Sequence, residues 1–176
     1  MPKAIPRTDF RIEPLSRSHD RGRFTCGIEA LDNYLKKKAS QDIAKHSAAC
    51  FVLTPDGKTV AGFYTLSHYA VDLAVLPGEI ASKLPKYPEV PVTLLGRLAL
   101  SQAFRGQKLG EYLMLDALYR SWVQSKQVAS AAVVVDAKDA SARRFYEHFD
   151  FLELPSTPNR LFLPMRTIDR LFSTGS

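Results

Sequence analysis

Apolar and polar residues alternate over Phe10-Arg11-Ile12-Glu13-Pro14-Leu15, the period-two pattern of a strand. After a polar stretch from Ser16 to Arg23, Ile28, Leu31, Tyr34 and Leu35 recur at helical spacing. They predict a helix of about ten residues, which Lys36, Lys37 and Lys38 close, because lysines in a last turn suit the negative end of the helix dipole. Ala48–Thr54 reads as an apolar strand, Pro55-Asp56-Gly57-Lys58 as a turn, and Val60–Ser67 as the hairpin partner. From Leu76 to Pro91, a segment with four of the eleven prolines, a short helix over Gly78–Leu84 precedes an irregular loop. Val92–Leu100 is the most apolar strand and is expected at the centre of a sheet. A helix over Leu109–Gln124 carries Tyr112, Leu115, Tyr119 and Trp122 on one stripe, with Leu113 and Ala117 beside it. A short buried strand at Ala131–Val135, a helix over Asp139–Phe149, and strands at Phe151–Leu154 and Arg160–Pro164 complete the pattern. This order predicts one α/β domain around a central mixed sheet, spanning residues 1–176 with its core at about 10–172.

Two segments carry candidate chemistry. Arg105-Gly106-Gln107-Lys108-Leu109-Gly110 lies between the central strand and a long helix. A helix N-terminus presents unpaired N–H groups and a partial positive charge, the glycines permit close backbone approach, and Arg105 and Lys108 add cations. That combination suits a pyrophosphate, although it is neither a Walker loop nor GxGxxG. It equally describes a glycine-bearing turn with solvated cations. In the second segment, Ala142, Phe145, Tyr146 and Phe149 share one helix face. Spacing alone suits Tyr146 to a core, and its hydroxyl still needs a hydrogen-bond partner.

Composition narrows the setting. Among 176 residues, 24 Lys and Arg against 18 Asp and Glu give a net charge of +6, which favours polyanionic partners. Apolar residues at 45% and charged residues at 24% exclude a disordered or collagenous chain. No apolar run is long enough to span a membrane, and the N-terminal stretch from Met1 to Pro14 lacks a signal-peptide core. Cys26 and Cys50 are too few for a disulfide framework and read as small buried hydrophobes, and no Cys or His pair has metal-ligand spacing. A reducing cytoplasm and no metal are therefore expected. His19, His68 and His148 have no recognisable spacing.

Taken together, the two motifs resemble those of the GNAT N-acetyltransferase superfamily, which carries Arg/Gln-x-x-Gly-x-Gly/Ala before a helix and later Asn-x-x-Ala-x-x-x-Tyr. Arg105, Gly110, Ala142 and Tyr146 match. Lys108 stands at the usual middle glycine, Asp139 at the usual Asn, and Asp150-Phe151 at the usual Gly-Phe. Phe24-Thr25-Cys26-Gly27, Ala30–Leu35, Gly62–Ser67, Leu84–Pro88, Leu95–Ala99, Phe145-Tyr146 and Leu161–Pro164 are similar to the GNAT toxins of bacterial toxin–antitoxin pairs, over about residues 10–172.

The resemblance implies a central sheet splayed between two strands, with helices on both faces. It implies acetyl-CoA as donor, the α-amino group of aminoacyl-tRNA as acceptor and blocked translation. It further implies a homodimer and a ribbon-helix-helix antitoxin through which alone DNA is met. The donor would be held by Leu98, Ala99 and Leu100, by Arg105, Gly106, Gln107, Lys108, Leu109 and Gly110, and by Asp139 and Ala142. Tyr146 would assist the departing thiolate as the catalytic residue. Arg97, a charge inside an apolar strand, would face the acceptor or else pair with a buried acid. Lys36, Lys37 and Lys38, with Arg21, Arg23, Lys45 and His46, would form a tRNA-facing patch or else a solvated face. Two other functions remain open to the sequence. One is acetylation of a small amine or a protein N-terminus, against which the surplus of ten basic over six acidic residues in positions 1–50 argues. The other is a non-catalytic acyl-CoA-binding regulator, for which Lys108 leaves room.

Overall fold

The strand alternation read at the N-terminus folds as β1 (Arg11–Pro14) in a computed structural model that describes residues 9–173; the segment Met1–Thr8, with most of the expected absence of a signal peptide, lies outside it. β2 (Ala49–Thr54), β3 (Gly62–Asp72), β4 (Glu89–Leu100), β5 (Ala132–Asp136), β6 (Leu152–Glu153) and β7 (Arg160–Pro164) follow. Hydrogen-bonded neighbours run β1-β2-β3-β4-β5-β7-β6, so the apolar β4 is the middle strand, as its composition predicts. β4 and β5 are parallel and the other registered pairs antiparallel, which makes the sheet mixed. The helices are α1 (Glu29–Asn33), α2 (Ala39–Ala44), α3 (Gly78–Ala81), α4 (Leu109–Ser125), α5 (Ala140–His148) and α6 (Met165–Ser173).

The described residues divide into two compact units, one comprising residues 9–67 with Leu95–Ala117, the other His68–Leu94 with residues 118–173. In the first unit, β1 and β2 pair from Arg11↔Thr54 to Pro14↔Phe51, and β2 and β3 from Ala49↔Leu66 to Leu53↔Gly62. Asp56 fixes the hairpin turn by accepting from the amides of Lys58 and Thr59 and from the Thr59 hydroxyl, bonds that hold its carboxyl down at about 2. Phe24, Leu35, Val52 and Phe63 form the core there, with Phe24 edge-on to Phe63 at 5.4 Å and Tyr34 stacked on it at 6.2 Å. Both cysteines are buried and free, as expected.

The first helix departs from expectation. Lys36–Lys38 do not close it. α1 passes into a π turn over Tyr34–Lys38, where the Ala39 amide reaches back to the Tyr34 carbonyl, and continues as α2. The wider turn keeps Tyr34, Leu35 and Ala39 buried while all three lysines stay exposed. A π turn disturbs the regular carbonyl ladder, and the Arg21 guanidinium donates to the Leu35 carbonyl at 3.1 Å and to the Ser40 hydroxyl at 2.8 Å. Arg21 is thus occupied in the fold.

In the second unit, β5 pairs with β7 at five positions, from Ala132↔Pro164 to Asp136↔Arg160, and β7 carries β6. Val71, Val92, Val134 and Phe162 belong to its core. α6 is an element the sequence reading missed, and it changes the reading of α4. The buried positions of α4 are Leu109, Leu113, Met114, Leu115, Ala117, Leu118 and Ser121, whereas Tyr119 is exposed. Tyr119 and Trp122 pack instead on Phe172 of α6, at 5.3 and 5.5 Å, and the Trp122 indole donates to Asp169 at 2.9 Å.

Gly62 opens β3 where no side chain fits. A Cβ there would lie 2.7 Å from Leu113 Cδ1 and 2.9 Å from the Ala99 carbonyl oxygen. Gly62→Ala is expected to cost about 1–3 kcal/mol through overpacking, read as a lower denaturation midpoint with an unchanged m-value.

Candidate active site

Where β4 ends, three bonds tie it to the segment before α1. The Ser101 hydroxyl and the Gln102 amide donate to the Thr25 carbonyl at 3.2 and 2.8 Å, and Arg105 Nη2 donates to the Cys26 carbonyl at 2.7 Å. The Arg105 side chain therefore holds the bend in place. Gly106 then turns left-handed at φ +84, Lys108 does so at φ +58, and α4 begins at Leu109, which is buried and anchors the turn. Backbone N–H groups around left-handed residues at a helix start converge into an anion-binding concavity. A Cβ at Gly106 would meet no atom within 4 Å, and Gly106, Gln107 and Lys108 are all exposed. The bend thus has the open face and the donors that a diphosphate requires. The lysine at the family's glycine position keeps the backbone conformation a glycine would adopt, at a cost of roughly 1–2 kcal/mol. Gly110 follows in the first turn of α4.

Leu98, Ala99 and Leu100 close β4 just before this bend, with Ala99 buried and its neighbours half-buried. Two residues earlier in the strand than Ala99, Arg97 lies 3.6 Å over the Tyr34 ring, a cation–π geometry. Tyr34 in turn donates its hydroxyl to Asp42 at 2.8 Å; burial and then that bond push the phenol well above its ordinary value. The buried ion pair expected as an alternative for Arg97 is absent among the described residues, since an aromatic face meets the charge instead. Lys36, Lys37 and Lys38 stand exposed on the π turn, as do Arg23, Lys45 and His46 nearby in sequence.

In the other unit, Asp139 is the N-cap of α5, its carboxylate accepting from the Ala142 amide at 2.8 Å. Aspartate caps as well as asparagine does, so this departure from the family pattern leaves the helix start intact. Tyr146 follows about two turns later. Its ring is core, 8% exposed and set against Phe145 and Phe151 at 5.8 and 5.7 Å. Its hydroxyl enters none of the hydrogen bonds among the described residues. Burial first, then the charges of Asp136 and Asp139, push the phenol up to about 12, so it carries its proton at neutral pH.

One group has no local motif to announce it. Arg160 pairs with Asp136 across β5 and β7 and also reaches Tyr69. Asp136 and Arg160 are brought together by the β5–β7 register, which a one-dimensional pattern does not display.

The model of the GNAT acetyltransferase family matches residues 15–151. A probable toxin TacT of Sinorhizobium fredii is 34% identical over 169 residues, covering 91% of this chain and 93% of its own. A tRNA-acetylating toxin of Mycobacterium tuberculosis is 37% identical over 152 residues, covering 86% and 90%. Among solved structures, AtaT complexed with acetyl-methionyl-tRNAfMet superposes with a TM-score of 0.87 at 30% identity, over 93% of this chain and 99% of that one. A tyrosine-to-phenylalanine mutant of AtaT, bound to the C-terminus of the antitoxin AtaR and acetyl-CoA, gives 0.78 at 27% identity, over 94% and 99%. The left-handed bend opening α4, the mixed sheet that carries it and the family match over most of the chain agree, and this protein belongs to the GNAT acetyltransferase family.

Proposed function

We propose that this chain transfers the acetyl group of acetyl-CoA to the α-amino group of an aminoacyl-tRNA and, as a toxin, blocks translation. The observation that carries the reading is the likeness, over nearly the whole chain, to AtaT in complex with acetyl-methionyl-tRNAfMet. The open, left-handed bend at Gly106–Lys108 supports acetyl-CoA as donor. In the same reading the toxin is a cytoplasmic homodimer, its two units form one GNAT domain, a ribbon-helix-helix antitoxin neutralises it, and DNA is met only through that antitoxin.

Bound acetyl-CoA supplies an acetyl group activated as a thioester. The amides of Gly106, Gln107, Lys108, Leu109 and Gly110 bind its diphosphate, while Arg105 holds that bend. The backbone of Leu98, Ala99 and Leu100 binds the arm, with one N–H polarising the acyl carbonyl; such donors contribute about 3 kcal/mol each. Asp139 and Ala142 set the start of α5 and so the position of Tyr146. A free α-amino group titrates at roughly 7.7–8.0, so a useful fraction is neutral near physiological pH without a dedicated base. Nitrogen bonds to the acyl carbon and releases its surplus proton to water, the carbon–sulfur bond breaks with its electron pair left on sulfur, and the Tyr146 hydroxyl donates a hydrogen bond to the departing thiolate. A phenol pushed up to about 12 is a weaker acid than a thiol near 8.5, so it steadies the thiolate and keeps its proton. Arg97, steadied by Tyr34, and Lys36, Lys37 and Lys38 face the acceptor RNA.

Labelled acetyl-CoA and total charged tRNA test the reading directly. RNA-bound label is expected, and label confined to polyamines or peptides would favour a different acceptor. Tyr146→Phe should keep acetyl-CoA affinity by calorimetry and lose at least about tenfold in turnover. With wild-type protein, kcat/KM for charged tRNA should climb with the acceptor amine through about pH 7.7–8.0. No fall from Tyr146 should follow in the mildly alkaline range, because its raised phenol is still protonated there. When all three lysines are changed to glutamine, the slope of log affinity against log salt should flatten by roughly 0.7–0.9 for every phosphate they had neutralised; an unaltered slope would remove them from the RNA face.

A further inference from the structure

Arg97 sits in β4, and Ala99, two residues on and so on the same face of the strand, packs into the cluster that holds Tyr34, Leu35 and Phe63. The Arg97 guanidinium lies 3.6 Å over the Tyr34 ring. Among the described residues it enters no hydrogen bond and no ion pair. None of those residues leaves a buried side-chain nitrogen or oxygen without a partner, so the unpaired donors of Arg97 reach solvent. This half-buried cation is held by an aromatic face alone, with its N–H edge open to a ligand.

The seat beneath it is fixed from several directions. Tyr34 is only 4% exposed, its ring stacks with Phe63 at 6.2 Å, and its hydroxyl donates to Asp42 at 2.8 Å. Tyr34 also opens the π turn, which Arg21 braces at the Leu35 carbonyl and the Ser40 hydroxyl, and which carries the exposed Lys36, Lys37 and Lys38. All of these groups belong to the first unit. The negative face of an aromatic ring attracts a cation, and a guanidinium laid on it keeps its donors directed outward in their own plane. That edge matches the oxygens of a phosphate. An unrestrained arginine loses rotamer freedom on gripping such a group, whereas this one is already held. We propose that Tyr34 is a positioning residue of acceptor binding: its ring seats Arg97 so that the guanidinium edge meets a phosphate of the acceptor RNA. This rests on the tRNA reading given above.

The test uses the full-length chain with acetyl-CoA and total charged tRNA. Tyr34→Leu should raise KM for charged tRNA roughly three- to tenfold, the range of a lost cation–π contact, with KM for acetyl-CoA unchanged. Tyr34→Phe, which restores the ring, should recover most of that loss. A trifluorinated phenylalanine at position 34 keeps the ring's shape and drains its face of negative charge. It should raise KM for charged tRNA roughly two- to fivefold over Tyr34→Phe, and the same step in an Arg97→Gln background should change nothing. Equal values for the plain and fluorinated rings, or an equal rise once Arg97 is replaced, would overturn the proposal; this pair stays readable even where Tyr34→Leu fails to fold. A second measurement needs no turnover. Binding of deacylated tRNA should weaken by the same factor on fluorination, and Arg97→Gln should flatten its salt slope by roughly 0.7–0.9, one phosphate contact; an unaltered slope would remove the phosphate. The fluorination effect on binding, in a protein that leaves aminoacyl-tRNA unacetylated, would sink the acceptor assignment and spare this inference. Its absence in a protein that does acetylate aminoacyl-tRNA would sink this inference alone.

Discussion

The backbone amides where β4 hands over to α4 are the constraint on which the rest depends. A helix start leaves N–H groups without partners, and a chain in water has no reason to aim them in one direction. Here two left-handed residues, Gly106 and Lys108, do the aiming. Ser101, Gln102 and Arg105 fasten the preceding strand end to the Thr25 and Cys26 carbonyls, so the turn is held from the side opposite its open face. The arginine of the family motif is therefore a strut for the bend, which leaves the main-chain amides as the anion donors of the proposed donor site. This explains how the position after Gln107 tolerates a lysine: the side chain is exposed, and only the backbone angle is specified.

Tyr146 follows the same division of labour. Its ring packs with Phe145 and Phe151 and is fixed as firmly as any core residue, while its hydroxyl is left over. Burial and two neighbouring carboxylates keep the phenol protonated. Packing thus sets the position and electrostatics sets the protonation state, from different residues. The core position of this ring and the catalytic role proposed for its hydroxyl thus make no competing demands on the side chain.

Most strands were legible because a period of two survives in sequence whatever lies across the sheet, and Asp139 was legible as a helix start because capping is local. The two motifs were legible for the same reason: each is a run within one strand–helix junction or one helix face. Where the reading went astray, the determinant was distant. The π turn depends on Arg21, fourteen residues before the Leu35 carbonyl it serves. The aromatic stripe of α4 is covered by α6, a helix not anticipated although Ile168 and Phe172 sit four apart on it. The acid that stood as the alternative partner for Arg97 is replaced by a tyrosine face, which sequence spacing does not encode. Arg160 and Asp136 are 24 positions apart and meet only through β-sheet register.

The π turn has a consequence for how this surface can vary. Each residue of a helix advances the chain by about 100° around its axis. The π turn takes up one residue more than ordinary pitch holds, so deleting a single lysine of the trio lets the segment rewind to ordinary pitch with Ala39 still on the inward side, four residues after Tyr34. Adding a lysine would instead swing everything downstream by that angle, taking Ala39 off the inward side and moving the Ser40 hydroxyl away from Arg21. The basic run can thus shorten by one residue without disturbing the core beneath it, and it cannot lengthen.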